Sequence, residues 1–374
     1  MTTELRIGPI EVTPPVVLAP MAGVTNVAFR QLCREYGGGI FVSEMQSARS
    51  VVENGAKVPG RLMFGRDEVN RSVQLYGVDP VTIAEATKRV IGEYGATHVD
   101  LNMGCPAPKV TRLGGGAALP VRRLLFARIV NAAVQAAGDV PVTVKMRMGL
   151  DDATLTYLDS GIAAAENGAA AVALHARTAE QHYSGHADWS AIGKLKEAVT
   201  AIPVLGNGDI WEAGDALAMM AQTGCDGVVV GRGCLGRPWL FRDLQSAFAG
   251  EPIAPAPLLG EVAAIMRRHA RLLVDSKQSE QLGLRDFRKH TGWYMTGYPV
   301  GSERRRELAQ VSTLSELARI LERIDPAITL PPGGERLTRG HTSGPKAVVV
   351  PEGWRDSFDD PTPPKGADIY TSGG

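Results

Sequence analysis

The sequence predicts a (β/α)₈ barrel followed by a smaller, all-helical carboxyl-terminal domain. Three observations predict this fold class. Eight short, mostly apolar runs rich in β-branched residues recur along the first 230 residues. Their starts lie 24 to 43 positions apart, which leaves room in each interval for a loop, a helix and a return. Beyond Pro238 the alternation stops and apolar residues recur at helical spacing.

The eight predicted strands are mostly apolar along their whole length. They are residues 16–19, 40–43, 72–76, 98–102, 141–145, 171–175, 203–206 and 227–230. Such strands are typical of a parallel sheet covered by helices, and eight strand–helix units favour a closed barrel. A doubly wound open sheet is the alternative. Residues 125–134 illustrate an intervening helix, with an apolar stripe on one face before Gly138 ends it.

The chain divides into a predicted barrel, residues 1–245, and a predicted helical domain, residues 256–325. Apolar residues from Leu259 to Leu273 fall on one helical face. Thr313 and Glu316 form a capping box that opens a last helix. Residues 326–374 contain eight prolines and eight glycines, a composition that predicts a mostly disordered tail.

Composition sets limits on the function. The chain of 374 residues has 40 basic and 40 acidic side chains, so net charge argues neither for nor against a polyanionic partner. Residues 261–310, however, contain ten basic side chains against six acidic ones. No apolar run approaches the roughly 20 residues of a membrane span. The four cysteines form no CxxC pair and no leader peptide is expected, which predicts a soluble, cytoplasmic protein without thiolate-bound metal.

Candidate functional residues cluster at the predicted carboxyl ends of the strands, where barrels carry their chemistry. In chain order these ends carry Pro20, Met21 and Ala22, then Gln74, then Asn102 and Cys105, then Lys145, then His175 and Arg177, then Asn207, Gly208 and Asp209, and finally Gly231 and Arg232. Because the strands are predicted to be parallel, these groups should converge on one mouth.

Two glycine-rich turns, GNGDI (206–210) and GRGCLGRP (231–238), follow strands seven and eight. Backbone N–H groups at these positions of a barrel commonly hold a phosphate. Arg232 would add charge-assisted hydrogen bonds. Ordinary tight turns are the alternative interpretation.

Three side chains carry open alternatives. Lys145 ends a buried strand, where an unpaired ammonium is costly. Its partner is either the pyrimidine edge of a flavin or a carboxylate on a neighbouring strand. His175 is either a functional group or a satisfied core histidine. Cys105 lies beyond a strand end in a Gly-Cys-Pro turn and is a candidate nucleophile or proton donor, whereas Cys33 and Cys225 fit buried apolar positions.

The motifs identify a family. They are LAPMAGVTNVAFRQLC (18–33), VSEM (42–45), VQLYG (73–77), DLNMGCPAPKV (100–110), VTVKMRMG (142–149), LHARTAEQHYSG (174–185), GNGDI (206–210), VVGRGCLGRPWLF (229–241) and FRKHTGWY (287–294). Through residues 16–324 the sequence resembles the tRNA-dihydrouridine synthase family, most closely its bacterial B-type branch. The tail beyond Asp325 lies outside the family pattern.

The resemblance implies an FMN-containing barrel that uses NADPH to reduce the carbon 5–carbon 6 bond of particular uridines in tRNA. Position by position, it implies a set of cofactor contacts: Pro20, Met21, Ala22, Gln74, Lys145, His175, Asn207, Gly208, Asp209, Gly231 and Arg232. It places Asn102 and Arg177 near the flipped uracil and makes Cys105 the proton donor.

The basic second domain is expected to meet tRNA phosphates through Arg285, Arg288 and Lys289 on one helix; a merely solvated charged helix is the alternative. Two other functions compete with tRNA reduction. One is an FMN-dependent barrel reductase of a free pyrimidine, and the other is a non-catalytic tRNA-binding protein that assists folding. No metal, membrane or obligate protein partner is expected.

Overall fold

The predicted fold class is confirmed: the eight expected strands form one closed barrel. The computed structural model describes residues 4–54, 63–340 and 344–364. Its strands are β1 (Leu5–Ile7), β2 (Ile10–Val12), β3 (Val16–Leu18), β4 (Ile40–Ser47), β5 (Ser72–Tyr76), β6 (His98–Met103), β7 (Val142–Arg147), β8 (Ala171–His175), β9 (Val204–Asn207) and β10 (Gly227–Val230). Strands β3 to β10 pair in parallel in chain order, and β10 closes on β3.

The first two strands form an antiparallel hairpin that the sequence pattern does not predict. Its apolar residues Leu5, Ile7 and Val12 are buried and share a cluster with barrel residues such as Val17 and Leu205. The strands are only three residues long, too short for a clear alternating pattern. The hairpin adds apolar packing to the inside of the barrel.

Helices cover the outside of the barrel. They are α1 (Val27–Arg34), α2 (Ala48–Asn54), α3 (Pro80–Gly92), α4 (Pro108–Thr111), α5 (Arg123–Ala137), α6 (Tyr157–Glu166), α7 (Trp189–Ala198), α8 (Ala213–Thr223) and α9 (Leu240–Ala249). Helix α5 buries the stripe expected of it and ends at Gly138, whose φ is 60°. Most of the main core lies between the strands and these helices.

Four further helices follow the barrel: α10 (Leu259–Lys277), α11 (Glu280–Tyr294), α12 (Ser302–Gln310) and α13 (Leu314–Glu322). They share an apolar cluster of their own, which also includes Ala28 and Leu32 of α1. Helix α13 starts as expected, because the Thr313 hydroxyl accepts the Glu316 N–H at 3.1 Å. The Glu316 carboxylate accepts from Ser312 N–H rather than from Thr313.

The described part of the tail differs from the expected disorder. It has little regular structure, but Arg339 and Trp354 are only 2 % and 3 % exposed. The Arg339 guanidinium donates to four backbone carbonyls, including that of Thr296. Composition misses such anchors, because two long side chains can fix a segment that is otherwise rich in proline and glycine. Residues 341–343 and 365–374 of the tail lie outside the described residues.

None of the helices in the described chain combines the length and apolarity needed to cross a membrane. Within the same residues, no group of three or more His, Cys, Asp or Glu side chains is arranged to hold a metal ion.

Candidate active site

A cleft opens at the carboxyl ends of the strands, with about 540 Å³ of empty space including its open mouth. Ten of the predicted residues line it: Pro20, Met21, Lys145, His175, Arg177, Asn207, Gly208, Asp209, Gly231 and Arg232. Ala22, Gln74, Asn102 and Cys105 are not among its lining residues. Parallel strands explain the convergence, since their carboxyl ends meet at one rim.

Lys145 reaches across the cleft to β9. Its Nζ donates to Asn207 Oδ1 at 3.0 Å, while Asn207 Nδ2 donates to the Val229 carbonyl. Burial, together with the Arg147 charge, lowers the pKa of Lys145 to about 8. The hydrogen bond goes to an amide rather than to a carboxylate, so the ammonium keeps much of its capacity to stabilise an electron-rich ligand.

His175 is surrounded by cations. Burial, followed by the charges of Arg147, Lys145 and other neighbours, holds its pKa well below the usual range. The imidazole is therefore neutral near pH 7 and can both donate and accept a hydrogen bond.

A buried polar network runs along the barrel strands below the mouth. Asn102 Nδ2 donates to Gln74 Oε1 at 2.9 Å, and Gln74 Nε2 donates to Asp100 Oδ2 at 2.7 Å. Thr143 donates to the other Asp100 oxygen, and its hydroxyl also contacts His98. Burial raises the pKa of Asp100 to about 6, although these hydrogen bonds and Lys145 oppose the rise. The network fixes Gln74 and Asn102 beside the cleft.

Arg177 pairs with Asp209 through one nitrogen, Nη2, which lies 2.8 Å from both carboxylate oxygens. Nη2 and Nε also donate to the carbonyls of Gly185 and Ser184. The buried Nη1 has no hydrogen-bond partner within the described chain. A buried guanidinium nitrogen of this kind suits a ligand acceptor, because leaving it unpaired is unfavourable.

The glycine-rich turns after β9 and β10 bring backbone close to the cleft. Gly208 has φ of 131°, and a Cβ there would lie 2.6 Å from Ala187 Cβ, so only glycine fits. A Cβ on Gly231 would meet only Ala19, at 3.8 Å, which leaves this backbone open to the cleft. The Arg232 guanidinium lies 4.1 Å from the Tyr183 ring centroid. These features suit an anionic group such as a phosphate.

Cys105 lies in a short turn held on its strand side by Asn102. The Asn102 carbonyl oxygen accepts the N–H groups of Gly104 and Cys105 at 3.2 and 2.9 Å. Asn102 therefore supports this turn, and both polar atoms of its amide have hydrogen-bond partners within the protein. Of the four cysteines, only Cys105 is partly exposed. Burial raises the pKa of its thiol, with nearby cations opposing the rise, so the thiol is protonated near pH 7.

The three basic residues predicted on α11 differ in their surroundings. Arg285 and Lys289 are exposed, whereas Arg288 is partly buried. Arg288 donates to the Val311 carbonyl and the Ser312 hydroxyl, both at 2.8 Å. The Lys289 ammonium comes within 3.6 Å of a Cβ built on Gly23, in the loop after β3. Lys289 thus lies beside the barrel mouth, while Arg288 holds helices of its own domain together.

Tyr183 and Trp211, which were not predicted from the sequence, also line the cleft. Both rings lie close to Arg232, at 4.1 and 5.3 Å. Both follow strand ends that had been singled out, in the segments EQHYSG and GDIW, and an aromatic residue near such an end was the available signal.

A closed barrel that carries a cationic cleft and a buried polar network at the carboxyl ends of its strands defines a (β/α)₈-barrel enzyme. The family model described as "Dihydrouridine synthase (Dus)" matches residues 17–329. The chain belongs to this family, and the resemblance inferred from the motifs is confirmed.

Named relatives are highly similar. A "Probable tRNA-dihydrouridine synthase" of Mycobacterium tuberculosis is 55% identical over 379 residues, covering 99% of this chain and 97% of the relative. The "tRNA-dihydrouridine synthase B" of Pseudomonas aeruginosa is 41% identical over 303 residues, covering 81% and 90%. A solved structure of 6-hydroxypseudooxynicotine amine oxidase from Pseudomonas geniculata N1 shares the fold, with a TM-score of 0.51, 14% identity and coverage of 85% and 65%. The chain thus spans slightly under two thirds of that structure.

Proposed function

We propose that this protein reduces specific uridines in tRNA to 5,6-dihydrouridine, with FMN bound in the cleft, NADPH as reductant and Cys105 as proton donor. The family membership of residues 17–329 carries the proposal, and relatives named as tRNA-dihydrouridine synthases support it. The enzyme is thus an oxidoreductase that acts on a carbon–carbon double bond.

The cleft residues fit FMN. Its phosphate would be held by backbone groups of Gly208 and Gly231 and by the Arg232 cation, as in other barrels. Lys145 would face the pyrimidine edge of the ring system, which becomes negative on reduction. The unpartnered Arg177 Nη1 supports a ligand with a hydrogen-bond acceptor in this cleft. Pro20, Met21, His175 and Asn207 would complete the contacts, as lining residues of the cleft.

When bound and reduced, FMN supplies the hydride that adds to carbon 6 of uracil. Carbon 5 then needs a proton, and Cys105 holds one at Sγ because its pKa is raised by burial. A thiolate would be the wrong state for this role, since the residue must act as a general acid. The Asn102 side chain fixes the backbone of the Cys105 turn, so the thiol is held in one place for the transfer.

The substrate would be bound by both domains. A target base must leave its stack to enter the mouth, at a cost of about a few kcal/mol that is smaller in a loop than in a duplex. The exposed Arg285 and Lys289 would bind phosphates near the mouth. This basic surface favours tRNA over a free pyrimidine, which would gain nothing from it.

The experiment compares wild type with Cys105→Ala on unmodified tRNA, with Cys225→Ala as control because Cys225 is buried at 3 % exposure. Dihydrouridine is measured by mass spectrometry, alongside the flavin spectrum and tRNA binding. We expect Cys105→Ala to retain the flavin spectrum and tRNA binding but to form product ~100-fold more slowly or worse, which is the rate contribution of a general acid. Cys225→Ala should retain wild-type activity.

Three results would contradict the proposal. Wild-type product from Cys105→Ala would remove the proton-donor role. Turnover of free uracil or uridine with kcat/KM equal to that of tRNA would favour a free-pyrimidine reductase, and a protein that cannot be loaded with FMN would favour a non-catalytic tRNA-binding protein.

A further inference from the structure

The tail carries one aromatic side chain that is almost completely buried. Trp354 lies in a Pro/Gly-rich segment yet is 3 % exposed. Its indole Nε1 donates to the Ala118 carbonyl at 2.8 Å, across 236 positions of sequence. Gly114, with φ of +77°, lies directly against the ring: a Cβ there would come within 2.5 Å of Trp354 Cη2. The indole thus docks in a hollow that only glycine leaves open.

Arg122 fixes the same segment from the other side. Its guanidinium carbon lies 4.7 Å from the Trp354 ring centroid, and Nε and Nη2 donate to the carbonyls of Trp354 and Gly353. Nη1 pairs with Asp360 at 2.7 Å. Stacking, two carbonyl bonds and an ion pair on one buried arginine make a specific anchor rather than a chance contact.

This anchor lies on the loop that carries Cys105. The Ala117 N–H donates to the Cys105 carbonyl at 3.0 Å. A Cβ on Gly116 would lie 2.5 Å from the same carbonyl oxygen, so the two backbone segments are in contact. The residues on which Trp354 rests, Gly114 and Ala118, therefore flank the residues that support the Cys105 turn. Asn102 holds the strand side of this turn, and the tail supports its outer side.

The tail part of this anchor, which carries Trp354, lies outside the residues that the family model matches. The family match ends at residue 329, and the Pseudomonas aeruginosa relative covers 81% of this chain. The Mycobacterium tuberculosis relative covers 99%. The tail that supports the Cys105 turn thus lies beyond the residues that the family model matches.

We propose that Trp354 is a positioning residue for Cys105: its docking against Gly114 and Ala118 holds the loop that presents the thiol to the substrate. The proposal rests on the proposed function as far as catalysis is concerned. Trp354 does not transfer a proton and does not contact the cleft. It acts by limiting the positions that the Cys105 turn adopts, and a misplacement of about 1 Å can lower a rate by roughly 100-fold.

The test uses the full-length, FMN-loaded protein and two substitutions. Trp354→Ala removes the anchor, and Trp354→Phe keeps most of the packing but loses the hydrogen bond to Ala118. Phe358→Ala is the matched control, because this tail aromatic is 43 % exposed and lies over Arg123 instead of the Cys105 loop. Three quantities are measured: the alkylation rate of Cys105 by iodoacetamide, hydrogen exchange of the Ala117 amide, and kcat and KM for unmodified tRNA.

For Trp354→Ala we expect alkylation and exchange to rise about tenfold or more, and kcat to fall by at least as much with KM for tRNA unchanged. Trp354→Phe should lie between this variant and wild type, and Phe358→Ala should match wild type. A purely structural role would lower thermal stability without changing Cys105 alkylation in the folded protein. If Trp354→Ala does not fold, the same measurements on Trp354→Phe test the proposal.

The proposal is overturned if alkylation and amide exchange in the Trp354 variants equal those of wild type, or if Phe358→Ala changes them equally. Both measurements are independent of catalysis. A wild-type protein that makes no dihydrouridine would therefore refute the proposed function, while alkylation and exchange would still decide the role of Trp354.

Discussion

Lys145→Met tests how much the buried Lys145 cation lowers the free energy of unfolding. Burial and the Arg147 charge lower the Lys145 pKa from 10.5 to about 8. At about 1.4 kcal/mol per pKa unit, the protonated amine destabilises the folded state by roughly 3 kcal/mol at pH 7. Because the folded protein releases this proton earlier than the unfolded chain, wild-type stability rises with pH between about 8 and 10.5.

The methionine variant lacks this titration. It also loses the hydrogen bond to Asn207, worth about 1 kcal/mol at either pH. Its free energy of unfolding should therefore exceed that of wild type by about 2 kcal/mol at pH 7 and should fall to equality or slightly below at pH 10. The change of about 2 kcal/mol between the two pH values does not depend on the hydrogen-bond term.

The assay is urea unfolding of flavin-free protein at pH 7, 8.5 and 10. Lys196→Met is the control, because Lys196 lies away from the cleft in an ion pair with Asp226 at 2.7 Å and its loss leaves Lys145 intact. A Lys145→Met protein whose stability follows the wild-type pH dependence, or which is less stable than wild type at pH 7, would refute the reasoning. Confirmation would show that Lys145 is retained although it destabilises the folded protein, as is common for residues of functional sites.

Three other substitutions test tRNA binding or the stability of the fold. Lys289→Ala is expected to weaken tRNA binding. It should also reduce the slope of the logarithm of the binding constant against the logarithm of salt concentration by about one, because the exposed ammonium would release one counterion. Filter-binding titrations with an unchanged slope would place the RNA-binding surface elsewhere. Arg288→Ala should leave the salt dependence of tRNA binding unchanged. It should instead lower the free energy of unfolding by about 1–3 kcal/mol, because the Arg288 guanidinium donates to Val311 and Ser312. A reduced salt dependence in this variant would show that Arg288 binds tRNA phosphates. Glu68→Ala should lower the free energy of unfolding by about 3–5 kcal/mol. The substitution leaves the buried Arg30 guanidinium, which pairs with Glu68 at 2.7 Å, without its counter-ion. Urea unfolding that shows a loss below about 1 kcal/mol would contradict this prediction.

Much of the architecture could be predicted because it depends on local patterns. The barrel strands recur as apolar runs whose bounds match the structure within a few residues, from β3 to β10. The candidate residues follow from the same pattern, because knowing where a parallel strand ends is enough to know which side chains reach the mouth. Ten predicted residues lie in one cleft for this reason. The three-residue strands of the amino-terminal hairpin were missed because so short a run has no readable period.

The roles of individual polar groups were harder to predict. Asn102 was expected to lie near the uracil, and no sequence pattern indicated that its carbonyl oxygen accepts two N–H groups of the Cys105 turn. Arg288 was expected to face tRNA, yet it binds Val311 and Ser312. In both cases the partner lies in a neighbouring turn or loop, and residue type does not reveal whether a side chain will bond within the protein or to a ligand.

By itself the sequence determined the order of the eight barrel strands and the positions of the polar residues at their carboxyl ends. Only the tertiary structure decided that Arg177 pairs with Asp209, that Tyr183 and Trp211 surround Arg232, and that Trp354 rests on Ala118. The physical reason is distance along the chain. Periodicity is a property of neighbouring residues, whereas these contacts join segments that closure of the barrel and return of the tail bring together.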